Sequence, residues 1–258
     1  MLRSLLYVPA HSERFLAKAH ERGADAIILD LEDAVPEADK DRARAGLNEA
    51  ASSAGRNGAQ IFVRINAGER QRADAEAAAG AHANAIILAK AELDGLDGFA
   101  LPLIAMLESP GAILDARDFA RHHNVMGLVV GGEDLATELG ATPTPDVLRT
   151  PKLLVHYAAK AERKLSLGLL RSVADYADLG AIEAAAREAR MHGFDGATCV
   201  HPSIVPILNA AFAPTPDEIA WAGRVVAAAQ TQSGAFKVDG RMVDAPVIAR
   251  ARAILAGH

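Results

Sequence analysis

An α/β fold, a single (β/α)8 TIM barrel with a C-terminal helix-and-hairpin extension, is predicted by three observations. Apolar runs of strand length recur eight times, near residues 3–9, 26–31, 60–65, 85–88, 102–107, 125–130, 166–170 and 196–200, and alternate with helical stretches. Charged residues gather where several of these runs end, as they do at the carboxyl rim of a barrel. The length of 258 residues suits one such barrel, which takes roughly 250. We assign residues 1–213 to the barrel and 214–258 to the extension. No Gly-rich dinucleotide fingerprint, Walker loop or zinc-type Cys/His spacing interrupts the pattern.

The elements follow in order. Arg3–Ala10 opens as a strand, closed by Pro9, and Ser12 is placed to cap a helix over Glu13–Arg22 that stops at Gly23. The second strand ends in the acidic group Asp30, Glu32 and Asp33; strand alternation implies that the three do not all point one way. One of them is read as a partner for an arginine or for backbone N–H groups, the others as orienting a metal or its waters. A helix is expected over Glu37–Ala54, a strand with Arg64 near its end, and a further helix over Arg72–Gly80. The fourth strand runs into Ala89-Lys90, where Lys90 is placed to pair with a rim carboxylate. Leu101–Gly111 ends its apolar run in Glu108, and Pro110 suits the first turn of the helix through Arg121. Helices are expected over Val147–Arg163 and Gly180–His192, with strands at Ser166–Leu170 and Gly196–Val200. In the extension, Asp217–Gln230 reads as a helix, Asp239-Gly240 as the turn of a hairpin, and Ala245–Ala256 as the last helix.

The chain is organised around Gly127–Gly140. There an apolar run, Leu128-Val129-Val130, meets Gly131-Gly132 and then Glu133 and Asp134, the grammar of strand, tight turn and helix start. Asp134 alone would fit a helix N-cap. With Glu108 at the end of the preceding strand it makes a pair of acidic oxygens on one rim. Two such oxygens, with room left for water and substrate oxygens, are what an octahedral Mg2+ site needs. A cation, Arg64, close to that site suggests an anionic substrate or a developing negative charge.

Composition narrows the function classes. Half the residues are apolar, enough for a sizeable core, and the net charge of -6 argues against a nucleic-acid partner. The single cysteine, Cys199, forms no intrachain disulfide and fits a reducing, cytoplasmic setting. No apolar run is long enough for a membrane span, and Leu5-Leu6-Tyr7-Val8 is too short for a secretion signal.

Seven stretches occur in a telling order: RSLLYVPA at Arg3, ILDLEDAV at Ile28, VRIN at Val63, LES-x-G at Leu107, GGEDL at Gly131, CVHPS at Cys199 and GRMVDAPV at Gly240. Together they resemble the citrate lyase beta-subunit-like proteins of the HpcH/HpaI aldolase/citrate lyase family of CoA-ester lyases, over nearly the whole chain. The resemblance implies a Mg2+-dependent C–C lyase working on a β-hydroxyacyl-CoA of malyl-CoA or citramalyl-CoA type. Products would be acetyl-CoA and a 2-oxo acid, by reversible Claisen chemistry. Glu108 and Asp134 would hold the metal. Gly132, Glu133 and Leu135, with Arg64, would contact the substrate, the amides of Asp134 and Leu135 taking its carboxylate. Arg64 would stabilise the thioester enolate oxygen, and Asp244, in the MVD-x-P match, would be the acid–base carboxylate, reaching a neighbouring subunit of a homotrimer. Arg3, Tyr7, Arg14, Lys18, His201 and Pro202 fall where the family contacts coenzyme A, although the basic residues also read as a solvated face. Three departures stand out: Ala89 where the family has Pro, Gly168 where many members have Asp, and Ile204 where Gln follows HP-S. Arg171 and Asp175 are candidates to compensate at Gly168. Alternative readings are a citrate lyase beta subunit acting on a citryl thioester of an acyl carrier protein, a malyl-CoA thioesterase or malate-synthase-like enzyme, and an inactive acyl-CoA-binding homologue.

Overall fold

In the computed structural model, residues 1–172, 176–232 and 234–256 are described. The chain divides into two compact units, Leu2–Phe212 and Ala213–His258, the latter joined by Met1.

The first unit is an eight-stranded parallel barrel. Its elements are β1 (Ser4–Pro9), α1 (Glu13–Ala19), β2 (Ala26–Asp30), α2 (Lys40–Ala45), α3 (Leu47–Ala54), β3 (Gln60–Ile65), α4 (Gln71–Gly80), β4 (Ala85–Leu88), β5 (Leu103–Leu107), α5 (Pro110–Leu114) and α6 (Ala116–Arg121). They continue with β6 (Val125–Val130), α7 (Gly132–Glu138), α8 (Pro145–Ala161), β7 (Leu165–Leu167), α9 (Leu179–His192), β8 (Ala197–Cys199) and α10 (Val205–Phe212). Strands pair in the order β7-β6-β5-β4-β3-β2-β1-β8. The circle closes between β7 and β8 through the bridge Leu167↔Gly196 and two hydrogen bonds, Asp195 N–H to Ser166 O and Gly168 N–H to Gly196 O, both 2.9 Å. Gly196 has to be glycine at this seam, because an added Cβ would stand 1.8 Å from the carbonyl oxygen of Leu2.

Period-two alternation divides the core in two. Leu5, Ile28, Phe62, Ile87, Ile104, Met106, Val129 and Leu167 point into the barrel. Leu6, Leu29, Val63, Ile86, Leu107 and Leu128 point outward and pack under the helices. Burying each such side chain contributes about 1.5–3 kcal/mol.

Several boundaries differ from the sequence reading. The stretch 37–54 is not one helix: a 3-10 turn at Glu37–Asp39 leads into α2, and Gly46 separates α2 from α3. The expected helix after Glu108 breaks at Asp115 into α5 and α6, with Pro110 at its start and the Ser109 hydroxyl accepting from Ala112 N–H at 3.1 Å. α1 is shorter than expected, ending at Ala19, and the Ser12 side chain makes no capping bond; its carbonyl does the work instead. β7 stops at Leu167 because Gly168 takes φ +138°, a backbone conformation outside any strand.

The second unit holds α11 (Pro216–Ala228), β9 (Phe236–Val238), β10 (Arg241–Val243) and α12 (Ala245–Ala256). A capping box between Thr215 and Glu218 starts α11. The hairpin turns at Asp239 and Gly240, at φ +53° and +77°, as a two-residue primed turn requires. Ala222, Val225, Phe236, Val238, Val243 and Ala251 form its own apolar core. No helix among the described residues is long and apolar enough to cross a membrane.

Candidate active site

Parity places the charged residues. Tyr7, Asp30, Arg64 and Glu108 each stand two residues beyond an inward-pointing apolar residue: Leu5, Ile28, Phe62 and Met106. They therefore crown the barrel interior at its carboxyl end. There they line a cavity of about 420 Å3 together with Gly131, Gly132, Glu133, Asp134, Lys152, Gly168, Ser172, Thr198 and Val200.

On one wall stand the two candidate metal carboxylates. Glu108 is buried, and its Oε2 accepts the Lys90 N–H at 2.6 Å. That N–H is aimed by Lys90's left-handed backbone, φ +47°. Gly131 gives Glu108 its room: an added Cβ there would meet Oε1 at 2.2 Å, Cγ at 2.5 Å and Cδ at 2.7 Å. Gly131 is also the N-cap of α7, so Asp134 is the third helical residue and not the cap, and no side-chain capping bond is made. Its carboxylate is left to face Glu108. Burial first, then the negative charges of Glu32 and Asp134, push the Glu108 carboxyl up to about 7. An oxygen-only pair whose members repel one another, one of them fixed by a main-chain N–H, fits a hard divalent cation such as Mg2+.

The opposing group is built on Arg64. Its Nε and Nη2 bind Asp30 Oδ1 and Oδ2 at 2.8 and 2.6 Å, while Nη1 lies 2.8 Å from Glu32 Oε2 and 3.4 Å from Asp33 Oδ2. The Tyr7 ring stacks beneath the guanidinium at 5.0 Å. Asp30 also accepts the N–H groups of Glu32 and Ala34. All three acids thus converge on Arg64, against the expectation from alternation. The reason is that β2 ends at Asp30, so Glu32 and Asp33 lie in a turn where alternation no longer applies. Lys90 pairs as expected with a rim carboxylate, Glu32, at 3.3 Å. Lys40, which the sequence reading passed over, ties this turn to the Asn66 side chain at 2.6 Å.

The residues expected near coenzyme A divide. Arg14 and Lys18 are exposed on α1, which follows the site end of β1. His201 follows β8, stacks on Tyr176 with ring centroids 5.1 Å apart, and accepts from Ser203 N–H; Pro202 begins the next turn. Arg3 does not belong with them. It precedes β1 and so lies at the amino end of the barrel, where it forms a two-point pair with Asp25 at 2.7 and 2.8 Å. Tyr7 is part of the cavity floor under Arg64. Asp244 lies in the second unit, where its Oδ1 accepts Val247 N–H at 3.3 Å as the cap of α12. Arg171 offers its carbonyl to Lys152 at 2.8 Å, and Asp175 lies outside the described residues. The sequence reading missed Lys152, Ser172 and Thr198. A signal existed for Lys152: it falls in helical register with the buried Leu148, Val155 and Ala159 of α8, an apolar face on which a lysine is out of place. Cys199 is buried and its thiol is pushed up to about 12, which leaves it unreactive.

A TIM barrel with a carboxylate pair suited to a divalent cation, set beside a buried arginine at the carboxyl ends of its strands, has the layout of a metal-assisted enzyme of this fold. Comparison with known proteins is specific. A sequence model of the HpcH/HpaI aldolase/citrate lyase family matches residues 3–95 and 83–202. A (3S)-malyl-CoA thioesterase of Cereibacter sphaeroides is 38% identical over 267 residues, spanning 98% of this chain and 93% of that protein. A citrate lyase subunit beta-like protein of Mycobacterium tuberculosis is 35% identical over 261 residues, 97% of this chain and 93% of that one. The crystal structure of CitE from M. tuberculosis with magnesium, acetoacetate and coenzyme A superposes with a TM-score of 0.83 at 33% identity, over 98% of this chain and 96% of that one. A citrate lyase beta subunit from the same organism, complexed with oxaloacetate and magnesium, gives 0.72 at 32% identity, over 83% and 99% of the two chains. The chain belongs to the HpcH/HpaI aldolase/citrate lyase family.

Proposed function

We propose that this protein is a Mg2+-dependent lyase that reversibly cleaves a β-hydroxyacyl-CoA of malyl-CoA or citramalyl-CoA type into acetyl-CoA and a 2-oxo acid. The observation that carries this reading is the Glu108–Asp134 pair sharing one cavity with the rigidly held Arg64. Relatives of this family have been crystallised with magnesium, coenzyme A and oxaloacetate, which supports both the metal and the ester.

Glu108 and Asp134 would hold the ion. When bound, Mg2+ supplies Lewis acidity to the substrate hydroxyl and to the carbonyl it becomes. The amides of Asp134 and Leu135, beside Gly132 and Glu133, orient the carboxylate of the departing 2-oxo acid. The hydroxyl gives up its proton to water in the cavity as its C–O bond becomes the carbonyl, the electron pair of the breaking C–C bond passes to the thioester half, and Arg64 faces the enolate oxygen that results. Asp30 and Glu32 hold the guanidinium in place so that no reorganisation is needed. Asp244 protonates the enolate carbon and removes that proton in the synthetic direction. It does so from a neighbouring subunit of a homotrimer, with the C-terminal unit as the part that is shared. Arg14, Lys18, His201 and Pro202 take the nucleotide end of the ester.

The test is to supply Mg2+ with malyl-, citramalyl- and citryl-CoA and identify the products. Acetyl-CoA with a 2-oxo acid is expected. The 38% identity to a malyl-CoA thioesterase favours a second reading, in which the products are free CoA and a hydroxy acid. Turnover confined to a thioester on an acyl carrier protein would instead make the chain a citrate lyase beta subunit, and binding without turnover an inactive homologue.

Two expectations arise from the geometry. Arg64→Lys keeps the charge but loses the planar fork that Asp30 grips at two points. We expect kcat to fall about tenfold or more in steady-state assays, up to the roughly 100- to 1,000-fold of one lost oxyanion donor. An unchanged kcat would make Arg64 a structural residue. Mg2+ affinity should depend on pH because Glu108 holds its proton up to about 7. Below that pH the metal must displace the proton, so affinity rises with pH, by about tenfold per unit, and levels off above it. Calorimetry in buffers of different ionisation heat reads both the affinity and the proton released.

A further inference from the structure

Away from the cavity, the described residues bring another set of metal-ligating side chains together: Asp97, His122 and His123. One ligand atom of each, a carboxylate oxygen and two ring nitrogens, lies within 4.8 Å of the other two. Asp97 precedes β5 and the two histidines precede β6, so the group stands at the amino end of the barrel. Glu108 and Asp134 lie beyond the far ends of these same two strands, roughly 15–20 Å away. Spacing along the chain does not mark the group, because Asp97 comes 25 residues before His122.

The backbone fixes the two segments against each other. The Asn124 carbonyl accepts Leu103 N–H at 2.8 Å, and its side-chain amide donates to the Leu101 carbonyl at 3.3 Å. These bonds tie the stretch that carries Asp97 to the turn that carries the histidines. The His122 carbonyl accepts Val125 N–H at 3.1 Å and the Lys164 ammonium at 3.5 Å. The His122 ring lies against that of His123, with centroids 4.6 Å apart, and its Nε2 is 3.2 Å from Asp97 Oδ1. Bonds of about 2.0–2.1 Å to a tetrahedral Zn2+ put neighbouring ligand atoms roughly 3.4 Å apart, so this edge already has the right length. His123 is exposed and makes no side-chain hydrogen bond among the described residues, so its ring is free to close the remaining gap.

Asn124 N–H donates to His122 Nδ1 at 3.3 Å, which leaves the ring proton on Nε2, facing Asp97. An ion at Nε2 shifts that proton to Nδ1 at the cost of this one long bond. Two imidazole nitrogens with one carboxylate oxygen suit zinc, copper or nickel, whereas the oxygen-only pair in the cavity suits Mg2+. We propose that Asp97, His122 and His123 form a second metal site, for a divalent transition-metal ion of the Zn2+ class, with water completing its coordination. It joins the β4–β5 connection to the α6–β6 turn and needs neither Glu108 nor Asp134.

Calorimetry of the untagged protein with Zn2+ in saturating Mg2+ tests it. The wild type should take up one Zn2+ per chain at this site, and Asp134→Ala should do so equally well. His123→Ala and Asp97→Ala, both at exposed positions, should each weaken that uptake by about tenfold or more, at least the effect of losing a group that merely supports a ligand. His122→Ala should do the same. Circular dichroism shows which variants are folded, and the two exposed substitutions carry the test if His122→Ala is not. Absence of Zn2+ uptake by the wild type in Mg2+, or uptake unchanged in a folded His123→Ala or Asp97→Ala, overturns the proposal. Uptake lost in Asp134→Ala would place the Zn2+ in the cavity and overturn it too.

Discussion

Glu108→Ala and Asp134→Ala should each abolish Mg2+ binding and turnover while leaving the melting temperature close to that of the wild type or above it. Glu108 follows β5 and Asp134 lies in the first turn of α7 after β6, both beyond the pairs Leu103↔Val125 to Leu107↔Val130 that join the strands, so the barrel wall does not depend on them. Removing either also relieves the repulsion between them that raises Glu108. Chelation by EDTA should reproduce the loss in the wild type. Gly131→Ala is a finer probe of the same site. Its φ of -79° suits alanine, and the nearest obstacle to the new Cβ is the Glu108 side chain. The side chain has to move, and Mg2+ affinity should fall by roughly 10- to 100-fold, as it does when a group supporting a metal ligand is disturbed. Full activity in chelator, or unaltered Mg2+ affinity in both alanine variants, would remove the metal from this site.

Asp244→Asn should eliminate lyase activity and leave Mg2+ and 2-oxo acid binding intact. The substitution is unusually clean because Asp244 caps α12, and asparagine caps a helix as well as aspartate does. The C-terminal unit should therefore keep its fold, and what disappears is the acid–base function. If Asp244 serves a neighbouring barrel, mixing Asp244→Asn with Glu108→Ala under conditions of subunit exchange rebuilds some sites with both groups. Activity should return only after exchange. A mixture that stays inactive, with mixed oligomers verified by native mass spectrometry, would confine Asp244 to its own subunit or to the cap.

Much of this was readable from the chain alone, for definable reasons. A strand buried on both faces needs an unbroken apolar run, so β4 and β6 fall at the residues expected. Charges that end such runs lie on the rim, which is why Glu108, Asp134 and Arg64 were found. The errors come from places where local pattern carries no direction. Arg3 precedes its strand instead of following it, and that reverses the end of the barrel on which it stands. The convergence of Asp30, Glu32 and Asp33 on Arg64 depends on how a turn folds back after β2, which no periodicity encodes. Gly46 and Asp115 split helices whose composition is helical throughout. Lys152 is 44 residues from Glu108 in sequence and comes to the cavity only because α8 packs beside β6 and β7.

The seam between β7 and β8 gives the barrel an unequal rigidity. Each of these strands is three residues long, and a single bridge with two hydrogen bonds joins them, against five paired positions between β5 and β6. Amide exchange by local opening should therefore be fastest along the seam and far slower at the pair of strands beneath Glu108 and Asp134. Gly168, Thr198 and Val200 border that seam, while Glu108 and Gly131 sit over the stiff side. Substitutions that reshape the cavity wall at Gly168, Thr198 and Val200 can accumulate on the yielding side without disturbing the carboxylate geometry, so the shape of the cavity is free to diverge while the carboxylate pair stays in place.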